Sequence, residues 1–299
     1  MAGKEVRNMK KTYQLKNKER TLLEFNLEMV ETEAFEKLSQ SFKIRLTKIT
    51  ETDKNIFPKN MELTDEGIAQ WIESRKVPKN RAFVEKILSV YDNDRNPMKY
   101  IDVSFGLSLN DSYWIVPKGS EYLWKDYNLY QNDFSKALEL VAFVGHSRKI
   151  QGIITSPEFT TNGMLKKCWR REENGEIKLY KGSTERFANG GLEAYTEYYA
   201  AQVAEVFEIP HLDYDLKLFH QELVSTCPLF TTEDMGYVPV YYLLEEKYQN
   251  VTQLSDYANQ YEIAKVLGIG FFEDLMFFDS IIYNTDRHLG NFGLLVDNN

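Results

Sequence analysis

In the early part of the chain, short apolar segments are followed by apolar residues at helical spacing. Two apolar segments, Thr12–Leu15 and Leu22–Leu27, flank the charged residues 16–20 and predict a β-hairpin. From Thr64 onward the apolar positions follow helical spacing, which predicts a helix with Thr64 as its N-cap. A second helix is predicted around Phe83–Leu88. The N-terminal part of the chain therefore combines strands and helices.

Strands and helices also alternate in the rest of the chain. Strands are predicted where apolar residues run together or alternate, and helices where they recur every three or four positions. The last predicted helix is rich in phenylalanine, so we expect it to be largely buried. The predicted strands are Ile153–Ile154, Cys168–Arg170, Glu176–Lys181, Leu216–Val224 and Val238–Leu244, and the predicted helices are Leu192–Phe207, Gln260–Leu267 and Phe271–Tyr283.

This mixture predicts an α+β fold in three segments. Residues 1–150 form an N-terminal α+β subdomain with the hairpin, the first helices and an aromatic-rich segment. Residues 151–244 form a sheet, and residues 245–299 begin a helical region that ends in a polar loop. The aromatic residues of Tyr113–Tyr130 have two interpretations. They belong to the core, which we favour, or they form a surface for a partner.

The composition argues against several classes of protein. A net charge of −9 and an isoelectric point near 5.2 lack the basic excess of proteins whose main partner is a nucleic acid. The glutamates that follow Lys166–Arg171 disfavour that stretch as a nucleic-acid contact. Cys168 and Cys227 are too few for a disulfide framework, and neither they nor the histidines show metal-ligand spacing. Because no segment resembles a signal peptide or a membrane span, we expect a cytoplasmic protein with no membrane partner.

The polar loop near residue 290 carries side chains suited to phosphoryl transfer. Asp286 and Asn291 are five residues apart (291 − 286 = 5), the interval between the base and the metal-binding asparagine of the protein-kinase catalytic loop. Asp286 would accept or orient a hydroxyl proton, Asn291 would offer an amide oxygen to Mg²⁺, and His288 would support them. Asp279 is expected to be held by backbone amides of the loop. Taken alone, Asp286 and Asn291 also fit a turn cap followed by a strand.

Two upstream features supply the other requirements of phosphoryl transfer. Lys181 follows an alternating strand and Glu197 lies in the next helix, in the order of the phosphate-contacting lysine and its helical glutamate in kinases. A turn that contains Thr160, Thr161 and Gly163 precedes them, and its backbone N–H groups are candidates to cradle phosphate oxygens. The turn lacks the spacing of a Walker loop and also fits an ordinary hairpin turn.

Five segments together carry a resemblance to a known family. The chain resembles the HipA-like serine/threonine kinases, in the branch of single-chain or prophage-associated bacterial proteins. The resemblance covers most of the chain. The segments are Leu107–Trp114, Lys167–Arg170, Leu179–Gly182, Thr196–Ala200 and Asn284–Gly293.

The resemblance implies a kinase-like, two-lobed fold and a specific chemistry. It implies ATP with Mg²⁺ as cofactors and a protein serine or threonine hydroxyl as substrate. By position, Thr160–Gly163 would cover the phosphates, Lys181 would contact them and Glu197 would hold Lys181. Asp286 would be the catalytic aspartate and Asn291 the metal ligand.

The chain also departs from the family pattern. Kinases of this kind have a second metal-binding aspartate on a strand beyond the catalytic loop and continue into a helical C-terminal lobe. Asp297 is only six residues past Asn291 (297 − 291 = 6), so we do not assign it that role. We expect a C-terminally truncated kinase of impaired activity. The alternatives are a short form that has lost catalysis, a nucleotide-binding pseudokinase, or an antitoxin-like interaction module of a toxin–antitoxin system.

Overall fold

The computed structural model describes residues 8–34, 37–90, 96–146, 152–184, 190–245, 248 and 257–299. The chain divides into two compact units. Unit 1 comprises residues 1–108, 112–141 and 145–163, and unit 2 comprises residues 109–111, 142–144 and 164–299. Antiparallel sheets and helices occur in both units, so the α+β class is confirmed. The predicted segment boundary near residue 150 lies outside the described residues.

Unit 1 is built on a four-stranded antiparallel sheet in the order β3-β2-β1-β4. The predicted hairpin is confirmed as β1 and β2, which pair with Leu15 opposite Leu23. The strands are β1 (Asn8–Asn17), β2 (Arg20–Ala34), β3 (Lys37–Ile49) and β4 (Tyr113–Pro117). The helices are α1 (Asp65–Ser74), α2 (Val84–Ser89), α3 (Pro97–Ser104), α4 (Trp124–Tyr127) and α5 (Lys136–Val144), whose last three residues belong to unit 2.

The aromatic segment after β4 belongs to the core of unit 1. Trp114 is fully buried, and its ring lies 5.7 Å from that of Trp124 and 5.8 Å from that of Phe105. Tyr122 and Tyr127 pack against the same phenylalanine. Such edge-to-face ring pairs add to the stabilisation from burial. The interpretation of this segment as a partner surface is therefore wrong.

A buried ion pair also stabilises unit 1. Arg81 donates from Nη2 to the Glu158 carboxylate at 2.5 Å, and both side chains are almost completely shielded from solvent. The same guanidinium donates from Nη1 to the carbonyl oxygens of Glu158 and Thr161 at 3.2 and 2.9 Å. Because a guanidinium has several donors in fixed directions, one side chain satisfies three acceptors here.

In its described residues, unit 2 combines a second four-stranded antiparallel sheet, in the order β5-β6-β8-β7, with a two-stranded sheet and three helices. An apolar cluster joins the last two helices to the loop before the last strand, and it contains Val240, Ile263, Phe272, Leu289 and Phe292. The strands are β5 (Lys167–Arg171), β6 (Ile177–Gly182), β7 (Asp215–Phe219), β8 (Glu222–Pro228), β9 (Met235–Pro239) and β10 (Gly293–Asp297), and the helices are α6 (Glu193–Val206), α7 (Tyr257–Leu267) and α8 (Ile269–Ile281).

Several predicted elements differ from the structure. Ile153–Ile154 form no strand, and the strand predicted at Val238–Leu244 ends at Pro239, where a 3-10 turn begins. The strand predicted at Leu216–Val224 is interrupted at His220–Gln221, where both residues adopt left-handed backbone angles. Two such residues form the tight turn that suits a hairpin.

Helix α8 is less buried than its composition predicts. Phe271 and Phe277 are each 52% exposed, although Phe272 is buried. The prediction of a largely buried helix is therefore wrong for one of its faces. None of the helices in the described part of the chain is long and apolar enough to span a membrane.

Candidate functional site

A lysine on β6 and a glutamate on α6 form the centre of the candidate site. The Lys181 ammonium donates a hydrogen bond to the Glu197 carboxylate, with Nζ and Oε1 2.5 Å apart. The second oxygen of Glu197 accepts a hydrogen bond from the Ser225 hydroxyl. Ser225 lies directly opposite Lys181 in the β6–β8 pairing. The structure therefore brings together the two residues that the sequence analysis paired, and it adds Ser225.

Local structure directs both partners to one side of the sheet. Alternation along β6 places Lys181 on the face opposite Tyr180, which packs in an apolar cluster on the other side. On α6, Glu197 lies between the buried Ala194 and Ala201, at three and four residues' distance. Residues at this spacing share one helix face. Helix α6 contacts β6, β7 and β8, so this face carries Glu197 toward the sheet.

The surroundings of Lys181 keep its charge. Burial lowers the pKa of the Lys181 ammonium, but the charge and hydrogen bond of Glu197, together with Tyr214 and Cys227, raise that pKa above its usual range. Because the pKa of Lys181 is raised in the folded state, the charged pair stabilises the fold fully at pH values below about 10.4, the pKa of lysine in the unfolded chain. That stabilisation is lost only when the pH rises through the higher folded-state pKa. Lys181 is therefore a permanent cation at neutral pH.

A second lysine, which was not predicted from the sequence, lies on the same face of the sheet as Lys181. Lys167 on β5 is opposite Lys181 in the β5–β6 register, and it is 7% exposed. Directly opposite residues of an antiparallel pair point to the same face of the sheet. Two lysine side chains therefore approach the candidate site from neighbouring strands. Alternation along β5 places Lys167, Trp169 and Arg171 on one face of the strand. Only the pairing of β5 with β6 shows that this is the face of Lys181.

Asn291 stabilises the polar loop before β10 through two side-chain hydrogen bonds to the loop backbone. Its amide Nδ2 donates to the carbonyl oxygen of Asp286 at 2.5 Å, and its Oδ1 accepts from the backbone N–H of His288 at 3.2 Å. The His288 ring nitrogen Nδ1 accepts from the Gly290 N–H at 3.1 Å. Asp286 itself is exposed. The loop thus holds Asp286, His288 and Asn291 together and presents the Asp286 carboxylate to solvent.

The buried Asp279 is held by side chains rather than by backbone amides. Its carboxylate accepts two hydrogen bonds from the Arg287 guanidinium, at 2.6 and 2.7 Å, and one from the Asn284 amide at 2.9 Å. The expectation of backbone amide donors is therefore wrong. A forked guanidinium donates to both carboxylate oxygens at once.

The predicted phosphate-covering residues belong to unit 1, whereas Lys181 and Glu197 belong to unit 2. The Thr160 hydroxyl donates to the Leu107 carbonyl at 3.1 Å, and the Thr161 hydroxyl donates to the Pro157 carbonyl at 2.7 Å. Gly163 has a φ of +91°, which suits a glycine turn. The role of Thr160, Thr161 and Gly163 in phosphate binding stays a prediction.

A metal ion would need ligands beyond those that the described residues bring together. Among the residues that the structure describes, no group of three or more histidine, cysteine, aspartate or glutamate side chains is arranged to hold a metal ion. Mg²⁺ in phosphotransferases is commonly held by one or two protein ligands together with phosphate oxygens and water. The role of Asn291 as a Mg²⁺ ligand stays a prediction.

Cys227 lies close to the ion pair and is predicted to be unreactive. It shares a hydrogen bond with the Tyr214 hydroxyl, and burial raises the pKa of its thiol. Cys168 is fully buried as well. Because the thiolate is the reactive form, we expect both thiols to react with a thiol reagent at pH 8 at least about tenfold more slowly in native protein than in urea. Rapid reaction of one thiol in native protein would contradict this.

Comparisons with known proteins give a distant structural likeness. The structure is similar to the crystal structure of a Helicobacter pylori proinflammatory kinase, CtkA, with a TM-score of 0.39 and 23% sequence identity. The match covers 46% of this chain and 51% of that one, so the chain spans about half the length of the kinase. No family model and no curated protein sequence matches the chain.

Proposed function

We propose that the chain is a HipA-like serine/threonine protein kinase, with a two-lobed fold, that transfers the γ-phosphoryl group of ATP to a protein hydroxyl. The observation that carries the proposal is the ion pair between Lys181 and Glu197, with Ser225 as a third member. A surface ion pair needs no such support, because water satisfies exposed charges. Here a half-buried ammonium is held at a fixed place by a carboxylate that is itself held by a hydroxyl.

In this proposal, Lys181 binds nucleotide phosphates as a fixed cation. Its charge persists at neutral pH because Glu197 raises its pKa. Lys167, on the same face of the sheet, adds a second positive side chain near the phosphates. Positioned positive charge is the main contribution of a protein to phosphoryl transfer, because the transition state spreads negative charge over the phosphate oxygens.

The loop that Asn291 fastens would supply the remaining groups. Asp286 accepts or orients the proton of the substrate hydroxyl, and its exposure suits contact with a protein substrate. Asn291 would hold Mg²⁺ through its amide oxygen, and the ion would neutralise charge on the phosphates. The Arg287–Asp279 pair keeps the loop in place behind these groups.

Nucleotide binding tests the proposal directly. With saturating Mg²⁺-ATP, the midpoint of thermal unfolding is expected to rise by about 5 °C, because a ligand at 100 times its Kd adds about 2.7 kcal/mol to the free energy of unfolding. Lys181→Met is expected to remove at least half of that rise. Lys178→Met is the matched control, since Lys178 lies on the other face of the same strand.

A phosphoryl-transfer assay on the same purified protein distinguishes a kinase from a nucleotide-binding pseudokinase. Slow transfer of radiolabel from γ-labelled ATP to casein, used as a general acceptor, is expected for the wild-type chain, as for a kinase of impaired activity. A thermal shift without any transfer would favour the nucleotide-binding pseudokinase. Absence of any thermal shift with ATP would overturn the nucleotide site altogether.

A further inference from the structure

The outward side of α6 carries a stripe of four exposed apolar residues and one glutamine. Leu192, Tyr195, Tyr199, Gln202 and Val206 are spaced by three, four, three and four residues. This is the spacing of a coiled-coil seam, in which every position faces a partner helix. The four apolar members are 58%, 42%, 60% and 79% exposed in chain order. A stripe of this size on one helix exceeds the isolated apolar residues that are normal on a protein surface.

The stripe is distinct from the candidate site. With 3.6 residues per turn, its members lie on the opposite side of α6 from Glu197. The rings of Tyr195 and Tyr199 are nearly parallel, with centroids 6.5 Å apart and an interplanar angle of 16°. At the end of the helix, Phe207 packs edge-on against Phe277 of α8, and both rings are about half exposed.

The charged residues next to the C-terminal end of the stripe are acidic. Glu205 and Glu208 are both exposed there, and residues 190–211 contain no lysine or arginine. Glu205 directly precedes Val206, and its side chain is 77% exposed, with Oε2 3.8 Å from Nε2 of the His211 ring. On α8, Glu273 and Asp274 lie one turn before Phe277 on the same helix face, and both are exposed. Exposed carboxylates thus lie near the C-terminal end of an aromatic and aliphatic stripe.

We propose that the stripe on α6 docks a basic amphipathic helix of a partner protein. The partner would present apolar side chains at the same three-four spacing, and lysine or arginine at the flanking positions. Flanking charges of opposite sign choose the partner in helix pairs of this kind. A second copy of this chain fits less well, because two identical stripes would bring glutamates against glutamates without a basic residue on either helix.

A designed peptide tests the docking surface without ATP, so its result is independent of the proposed phosphoryl transfer. The probe is a fluorescein-labelled peptide of about three heptads, with leucine at the a and d positions, lysine at e and g, and alanine elsewhere. The lysines also prevent the peptide from pairing with itself. We expect fluorescence anisotropy to show saturable binding with a Kd of about 10 μM. A peptide of the same composition with scrambled leucine positions is expected to bind at least about tenfold more weakly.

Two variants locate the binding. The double substitution Tyr195→Ser with Tyr199→Ser is expected to weaken binding at least about tenfold. Tyr261→Ser is the matched control, because Tyr261 is similarly exposed but lies on α7. Both sites are at the surface, so circular dichroism should show unchanged folding for all of these proteins.

A charge exchange separates specific docking from general attraction to an acidic protein. Glu205→Lys is expected to weaken binding of the lysine peptide and to improve binding of a matched peptide with glutamate at e and g. Equal binding of the scrambled peptide, no effect of the tyrosine substitutions, or no reversal by Glu205→Lys would each overturn the proposal. Concentration-dependent dimerisation that the tyrosine substitutions abolish would assign the stripe to a second copy instead.

Discussion

Replacing Arg81 with methionine is expected to lower the free energy of unfolding of unit 1 by about 3–5 kcal/mol. Arg81 and Glu158 are both almost fully buried, so methionine would leave the Glu158 carboxylate without its cation in a poorly solvated place. Two backbone carbonyls, those of Glu158 and Thr161, would lose the same donor. Breaking one side of a buried pair therefore costs more than the net stabilisation from the intact pair.

Tryptophan fluorescence can report on unit 1 separately. Of the four tryptophans, Trp71, Trp114 and Trp124 belong to unit 1 and Trp169 belongs to unit 2. In a Trp169→Phe background, urea unfolding followed by fluorescence measures unit 1 alone. This separation matters because a chain of two units need not unfold in one step.

Two controls decide whether the buried pair is the cause. Lys10→Met removes an exposed partner of Glu28, with Nζ and Oε1 3.0 Å apart, and is expected to leave the stability of unit 1 nearly unchanged. The double variant Arg81→Met with Glu158→Leu is expected to recover part of the loss, because no buried carboxylate remains. If the double variant is less stable than the sum of the two single variants predicts, the unpaired carboxylate is not the source of the loss.

Asp286→Ala is expected to reduce phosphoryl transfer by about 10²–10⁴-fold, the usual contribution of a positioned general base. This prediction depends on the proposed kinase activity. The substitution leaves the loop intact, because Asn291 is bonded to the backbone carbonyl of Asp286 and not to its side chain. The thermal shift with Mg²⁺-ATP should therefore remain within about 1 °C of that of the wild-type chain.

The neighbouring Thr285 supplies a matched control for Asp286. Thr285 is exposed in the same loop, so Thr285→Ala should leave transfer within about threefold of the wild-type rate. The measurement is the initial rate of label transfer to casein at saturating Mg²⁺-ATP. If Asp286→Ala retains the wild-type rate, Asp286 is not the base, and the loop has a structural role only.

Elements with their own local signals could be predicted from the sequence. Thr64 was predicted as an N-cap, and its hydroxyl accepts the backbone N–H of Gly67 at 2.9 Å. The turn between β7 and β8 could not be predicted in the same way. His220 and Gln221 adopt left-handed backbone angles there, although neither residue type is a strong turn signal.

The candidate site could be predicted only in part, for a related reason. Lys181 and Glu197 lie on successive elements, so their meeting follows from a strand, a turn and a helix that packs back on the strand. Ser225 and Lys167 reach the same face only through the pairing of β6 with β8 and β5. Strand pairing is decided by the assembled sheet and leaves no local pattern. The partner of Asp279 was missed because the choice between backbone and side-chain donors depends on where Arg287 points.

The path of the chain restricts how this protein can be dissected. Residues 109–111 and 142–144 belong to unit 2, although unit 1 precedes and follows each of them in sequence. Phe143 packs in the apolar cluster of unit 2 with Cys168, Tyr180 and Val224. A shorter gene product that starts at residue 164 would lack this ring and expose the surface beneath it. Neither unit is therefore a module that recombination or expression cloning can transfer with a single cut.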